Sequence, residues 1–70
     1  MTNRELIVKK LESGKTIWRY TPTSSISYTK VNDGIWRVCH GLASSSSKKL
    51  NTQTAISQLV RNFKQIASIH

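Results

Sequence analysis

Negative side-chain charge is scarce in this chain: Glu5, Glu12 and Asp33 are its only carboxylates. Each has a local use, Glu5 in a helix cap, Asp33 in a turn and Glu12 near a helix end, so no pair is placed for acid–base catalysis. A single cysteine, Cys39, excludes an internal disulfide and agrees with a reducing compartment. Its neighbour His40 offers no thiolate–imidazole pair, because adjacent residues on a strand point to opposite faces. One Cys and two His give no zinc-ligand spacing, so neither a metal nor a cofactor is expected, and the chain does not read as an enzyme. Glycine is also rare. Gly14, Gly34 and Gly41 stand alone, which leaves no phosphate-cradling motif. No run approaches the ~20 apolar residues of a membrane span, and the Met1 segment lacks the apolar stretch of a signal peptide. A soluble cytoplasmic protein with no membrane partner is the expectation.

What the chain does have is positive charge. Eleven Lys and Arg give a formal +8 and a pI near 10.3 within 70 residues. Such an excess favours an acidic partner, nucleic acid first. No block of five or six like charges occurs, so any basic surface must be assembled by folding. The length allows one domain, 1–70, and 37% hydrophobic residues argue against a disordered tail.

Thr2-Asn3-Arg4-Glu5 forms a capping box ahead of Leu6-Ile7-Val8, so a helix is expected there, ending at Gly14. A strand over Leu6–Leu11 is the rival. Thr16–Thr21 is β-branched and aromatic and is stopped by Pro22, which marks a first strand. Ile26–Val31 and Ile35–His40 flank Asn32-Asp33-Gly34, a strong hairpin signal. A three-residue loop with left-handed Gly34 pairs Val31 with Ile35 and gathers Ile26, Tyr28, Trp36 and Val38 on one face. A two-residue Asp33-Gly34 loop instead moves Tyr28 to the face opposite Trp36 and Val38. Clustering the large apolar groups favours the first arrangement. Gly41–Leu50, with Ser44–Ser47 and then Lys48-Lys49, reads as a mobile loop, 41–51. From Asn51 or Thr52, the residues Ile56, Leu59, Val60, Phe63, Ile66 and Ala67 fall at helical spacing.

The expected fold is therefore α+β: helix, three-stranded antiparallel sheet, helix (α-β-β-β-α), with both helices on one face. The second helix seals Tyr28 and Trp36, joined by Trp18 and Tyr20. The uncovered face presents Arg19 and Arg37 among small hydroxyl residues, suited to phosphate contact. Lys48 and Lys49, just before the second helix, form the best local anion site. Lys15 and Lys30 complete the candidate cations.

This order of elements is similar to the double-stranded RNA-binding domain, and Ser47-Lys48-Lys49 resembles the Ser-Lys-Lys signature that opens that family's second helix. The chain departs from the family elsewhere. Its Pro22–Ser25 loop is short and lacks the family's His-bearing motif, serines replace the glycines before the lysines, and the second helix is not Ala-rich. The resemblance implies a phosphate-contacting role for Lys48 and Lys49.

The resulting expectation is a non-enzymatic basic domain that binds DNA or RNA mainly through phosphates, with low sequence selectivity. The alternative is a small accessory or inhibitor protein, of viral or mobile-element type, docking on an acidic protein surface. Sheet edges leave room for a homodimer by strand pairing. Peripheral membrane binding is disfavoured by the Ser-, Asn- and Gln-rich polar side of the last helix.

Overall fold

The computed structural model describes residues 2–70. Helix α1 (Asn3–Glu12) begins at the capping box: the Glu5 amide donates to Thr2 Oγ1 at 3.1 Å, and the Thr2 hydroxyl donates to Glu5 Oε1. It ends where Gly14, at φ +83°, turns the chain; the Gly14 and Lys15 amides donate to the Leu11 and Lys10 carbonyls, a paired C-terminal cap. An L-residue resists that φ, so Gly14 is required by conformation.

Five strands follow: β1 (Thr16–Thr21), β2 (Ser24–Val31), β3 (Gly34–Gly41), β4 (Ser45–Leu50) and, after α2 (Thr52–Arg61) and a 3-10 turn at Phe63–Gln65, β5 (Ile66–Ile69). They form one antiparallel sheet in the order β4-β3-β2-β1-β5. The expected three-stranded sheet is thus corrected to five strands at both of its edges.

At one edge, the stretch expected as loop 41–51 contains β4. An edge strand needs little apolar content, because its backbone ladder to β3 holds it and its side chains face water. Only Leu50 reaches the core, opposite Ile35, and the reversal into β4 is closed by the Gly41 amide donating to the Ser44 carbonyl at 2.8 Å. The Ser-Lys-Lys run therefore lies in a strand and does not open a helix. Helix α2 is instead capped by Asn51, whose Oδ1 accepts from the Gln53 amide.

At the other edge, the helical stripe expected through Ala67 stops early. Asn62 closes α2 by donating from both its backbone amide and its Nδ2 to the Gln58 carbonyl. Ile66–Ile69 then runs extended beside β1, with a bulge between Trp18 and Arg19. Ile66 and Ile69 suit the half-buried surface of a strand, and their spacing let them pass for the end of the helical stripe.

The central hairpin carries the largest correction. Val31 pairs with Gly34, so the turn is the two residues Asn32-Asp33 and Gly34 belongs to β3 with no left-handed φ. This register differs by one residue from the expected one, and a one-residue slip exchanges the faces. Ile26 and Tyr28 face the helices as expected, but Ile17 and Ile35 join them in place of the tryptophans, and all four bury against Ile7, Leu11, Ala55, Ile56 and Leu59. Full burial of each aliphatic side chain is worth about 1.5–3 kcal/mol. Trp18, Tyr20, Trp36 and Val38 take the opposite, helix-free face. Of the aromatic layer expected beneath α2 only Tyr28 is there, and Trp36 is 41% exposed.

Gly34 has a steric reason for its place. A Cβ there would lie 2.6 Å from the Leu50 carbonyl oxygen and 3.3 Å from Lys49 Cγ. The absence of a side chain lets β3 and β4 close at this point. Gly34→Ala is therefore expected to destabilise the fold by about 1–3 kcal/mol through overpacking, seen as a lower midpoint in urea unfolding; unchanged stability would disprove the steric role. Gly14→Ala, with nothing within 4 Å of the new methyl, should lose about 1–2 kcal/mol from the backbone alone.

Candidate nucleic-acid interface

The register distributes the candidate cations differently from the sequence expectation. Arg19 and Arg37 lie on the helix-covered side, each half-buried, not on the open face. Arg19 is engaged there: its Nε donates to Gln65 Oε1 at 2.7 Å and its Nη1 to the Tyr28 hydroxyl at 3.3 Å. Tyr28, fully buried, donates in turn to Gln58 Oε1 at 3.0 Å. This chain of hydrogen bonds ties β1, β2, α2 and the 3-10 turn together through Arg19.

Arg37 differs. It stands beside Tyr28 on one flank and Lys48 on the other, and its buried Nε has no hydrogen-bond partner. Like charges directly opposite on paired strands repel. No carboxylate relieves them, since Lys49–Asp33 is the one ion pair among the described residues. Lys48 is exposed at the sheet's rim, and Lys49, next in β4, projects to the other face. Lys30 is also exposed, opposite Ile35 on the helix side, and Lys15 is exposed before β1. The structure thus brings Arg37 and Lys48 together and leaves Lys15, Lys30 and Arg19 apart from them.

The open face is built in rows. Thr29 sits between Thr16 and Trp36, with Lys49 beyond; Ser27 between Trp18 and Val38, with Ser47 beyond; Ser25 between Tyr20 and His40, with Ser45 beyond. Central strand β2 therefore offers the hydroxyl side chains of Ser25, Ser27 and Thr29 to this face, with Val31 at its end, flanked by aromatic rings of β1 and β3. Tyr20 is 49% exposed and Trp36 41%. The Thr16 and Thr29 hydroxyls bond each other at 2.9 Å, which fixes one end of the central row.

A sequence signal for this arrangement existed. Ile-Trp-Arg occurs twice, at Ile17-Trp18-Arg19 and Ile35-Trp36-Arg37. In each copy the Ile is buried, the Trp faces outward and the Arg turns back under the helices. Cys39 shares the helix side and packs on the core, while His40 is exposed on the open side. Among the described residues no group of three His, Cys, Asp or Glu is close enough to hold a metal ion. No helix among them is long and apolar enough to cross a membrane.

Lys49 Nζ donates to Asp33 Oδ2 at 2.8 Å, joining β4 to the hairpin turn. This hydrogen bond, reinforced by the ammonium charge, holds the Asp33 carboxyl below its ordinary value. With the folded pKa depressed, the linkage stabilises the fold above the unfolded pKa and is lost as pH falls through the folded one. An NMR titration should show Asp33 returning up to the ordinary carboxylate range in Lys49→Gln. Equal titration in both proteins would mean that the pair does not form in solution.

Tyr28→Phe should cost about 0.5–1.5 kcal/mol by removing hydrogen bonds to half-buried Arg19 and Gln58, measured by urea unfolding, whereas a neutral result would remove the network's structural role. Comparison of the chain with protein-family models, with curated proteins and with solved structures finds no match, so its function must be argued from these residues.

Proposed function

We propose that this protein is a non-enzymatic nucleic-acid-binding domain that engages phosphates with low sequence selectivity. The observation that carries the proposal is the unrelieved pair Arg37 and Lys48, abreast on β3 and β4, with a buried Arg37 Nε lacking a partner. A phosphate held by the exposed Lys48 ammonium offsets the repulsion between the two cations. The wider charge supports the same conclusion: eleven Lys and Arg against three carboxylates leave a formal +8, a field that draws polyanions.

The β4 edge is the natural track for a phosphate backbone. Lys48 and Lys49 straddle the rim, one on each face, and the Ser45–Ser47 hydroxyls continue along it as neutral donors. Contacts of this kind position a nucleic acid without reading its bases. An acidic protein surface is the competing partner, because the same cations would face it; a shared electrostatic footprint does not distinguish the two, but nuclease treatment does.

The test is a titration of duplex DNA, duplex RNA and a single strand at low and moderate salt, followed by fluorescence anisotropy. Affinity should fall steeply with salt, and Lys48→Gln should weaken binding to all ligands while reducing the log–log salt slope by about 1. Undetectable low-salt binding to all three overturns the proposal. Capture of one stoichiometric protein that survives nuclease would assign the cations to the competing partner.

A further inference from the structure

Both tryptophans and one tyrosine lie on the side of the sheet that no helix covers, and phosphate contacts leave them without a role. The unprotected state of Trp36 and Tyr20 is specific. A small domain with a marginal core would gain by burying them, yet the hairpin register turns them outward and fills the core with isoleucines instead. Between the rings, Ser25, Ser27 and Thr29 are too short to cover them. Neighbouring strands are about 4.8 Å apart and residues two apart along a strand about 6.8 Å. Trp18 and Tyr20 therefore stand about one base-width apart on β1, with Trp36 two strands away on β3.

We infer that the Trp18, Tyr20 and Trp36 face is a base-stacking platform that takes single-stranded nucleic acid, with the strand's phosphates running over the β4 rim. This rests on the nucleic-acid proposal above and names the class of ligand. Three features favour a single strand over a duplex. Stacking on a side-chain ring requires an unpaired, unstacked base face, which a duplex hides. The platform is the helix-free side of a sheet, with no projecting element to enter a groove. Arg19, which would be needed to grip a second backbone across β1, is instead held under the helices by Gln65 and Tyr28. A second copy of the chain is a poorer occupant, since sheet-to-sheet contact would bring together two molecules each of formal +8.

The chain has only two tryptophans, and both sit on this platform, so intrinsic fluorescence reports on it alone. The experiment compares an oligothymidine of about 16 nucleotides, the upper end of site sizes for such surfaces, with a duplex of equal length. Readouts are tryptophan quenching and the anisotropy of an end label, for the wild type, Trp36→Ala, Trp36→Phe, Tyr20→Ala and Lys48→Gln, with circular dichroism checking the fold.

The single strand should bind more tightly than the duplex and quench the tryptophans. Trp36→Ala should weaken single-strand binding about tenfold with an unchanged salt slope, equivalent to about 1.4 kcal/mol, and Trp36→Phe should restore most of the loss. Lys48→Gln should show the opposite signature, a smaller slope. If the aromatic variants keep single-strand affinity within about twofold of the wild type while Lys48→Gln weakens it, the platform is refuted and phosphate binding stands. If neither ligand binds at low salt, both conclusions fall. Should an aromatic variant fail to fold, the wild type still decides: binding without quenching overturns the platform. Concentration-dependent dimerisation abolished by Trp36→Ala, without quenching by the oligonucleotide, assigns the face to a second copy and also overturns it.

Discussion

The close approach of β3 and β4 at Gly34 is the constraint on which the rest of this structure depends. Where most residues would place a Cβ, the Leu50 carbonyl lies within 2.6 Å, so the strands meet only because the position is empty. With Gly34 committed to the strand, the turn before it contracts to Asn32-Asp33, and Val31 is brought opposite Gly34. Every side chain of the hairpin takes its face from that pairing. Ile35 turns inward to meet Leu50, Tyr28 enters the core between Ile17 and Arg37, and Trp36 is sent outward.

Two chemically different surfaces result from the one register. The inner face combines aliphatic packing with a half-buried polar chain from Arg19 through Tyr28 to Gln58. A buried Tyr must satisfy its hydroxyl, and here it does so while fastening the end of α2 to the sheet. The outer face alternates rings with hydroxyls and carries little charge. Positive charge is left mainly to the rim and helix side, where Arg37 and Lys48 lack acidic neighbours. Both surfaces are built within 70 residues by one five-stranded sheet and two helices.

Local chemistry made part of this legible in the residues. The Thr2–Glu5 box, the Gly14 stop, the Thr16–Thr21 strand and the Asn51 cap are short-range signals whose energetics involve a few neighbouring groups, and each marks the observed element. The edge strands were not legible for opposite reasons. Ser45–Lys49 has none of the β-branched or aromatic residues that mark a strand, because an edge is stabilised by its neighbour's backbone. Ile66–Ile69 has too familiar a pattern, since its isoleucines also extend the stripe of α2. Register was harder still: Asn-Asp-Gly admits loops that differ by one residue, and the choice rests on a contact with Leu50, sixteen positions away from Gly34. The site inherited that error directly. With the Trp18 and Trp36 rings expected in the core, alternation puts Arg19 and Arg37 on the open face.

The repeated Ile-Trp-Arg triplet shows why the exchange of faces matters for function. On a strand with one buried side, Ile and Arg at i and i+2 must share a face and the Trp between them must take the other. If the rings were inside, two arginines would accompany two isoleucines into water, where those isoleucines gain nothing. With the isoleucines inside, the arginines are drawn to the margin of the core, where the Arg19 head finds Gln65 and Tyr28 and the Arg37 Nε is buried without a partner. Folding thus favours the arrangement that exposes the rings, and the exposed aromatic face follows from the same alternation that builds the core. The exposed rings are carried on β1 and β3, which are paired with neighbouring strands on both sides.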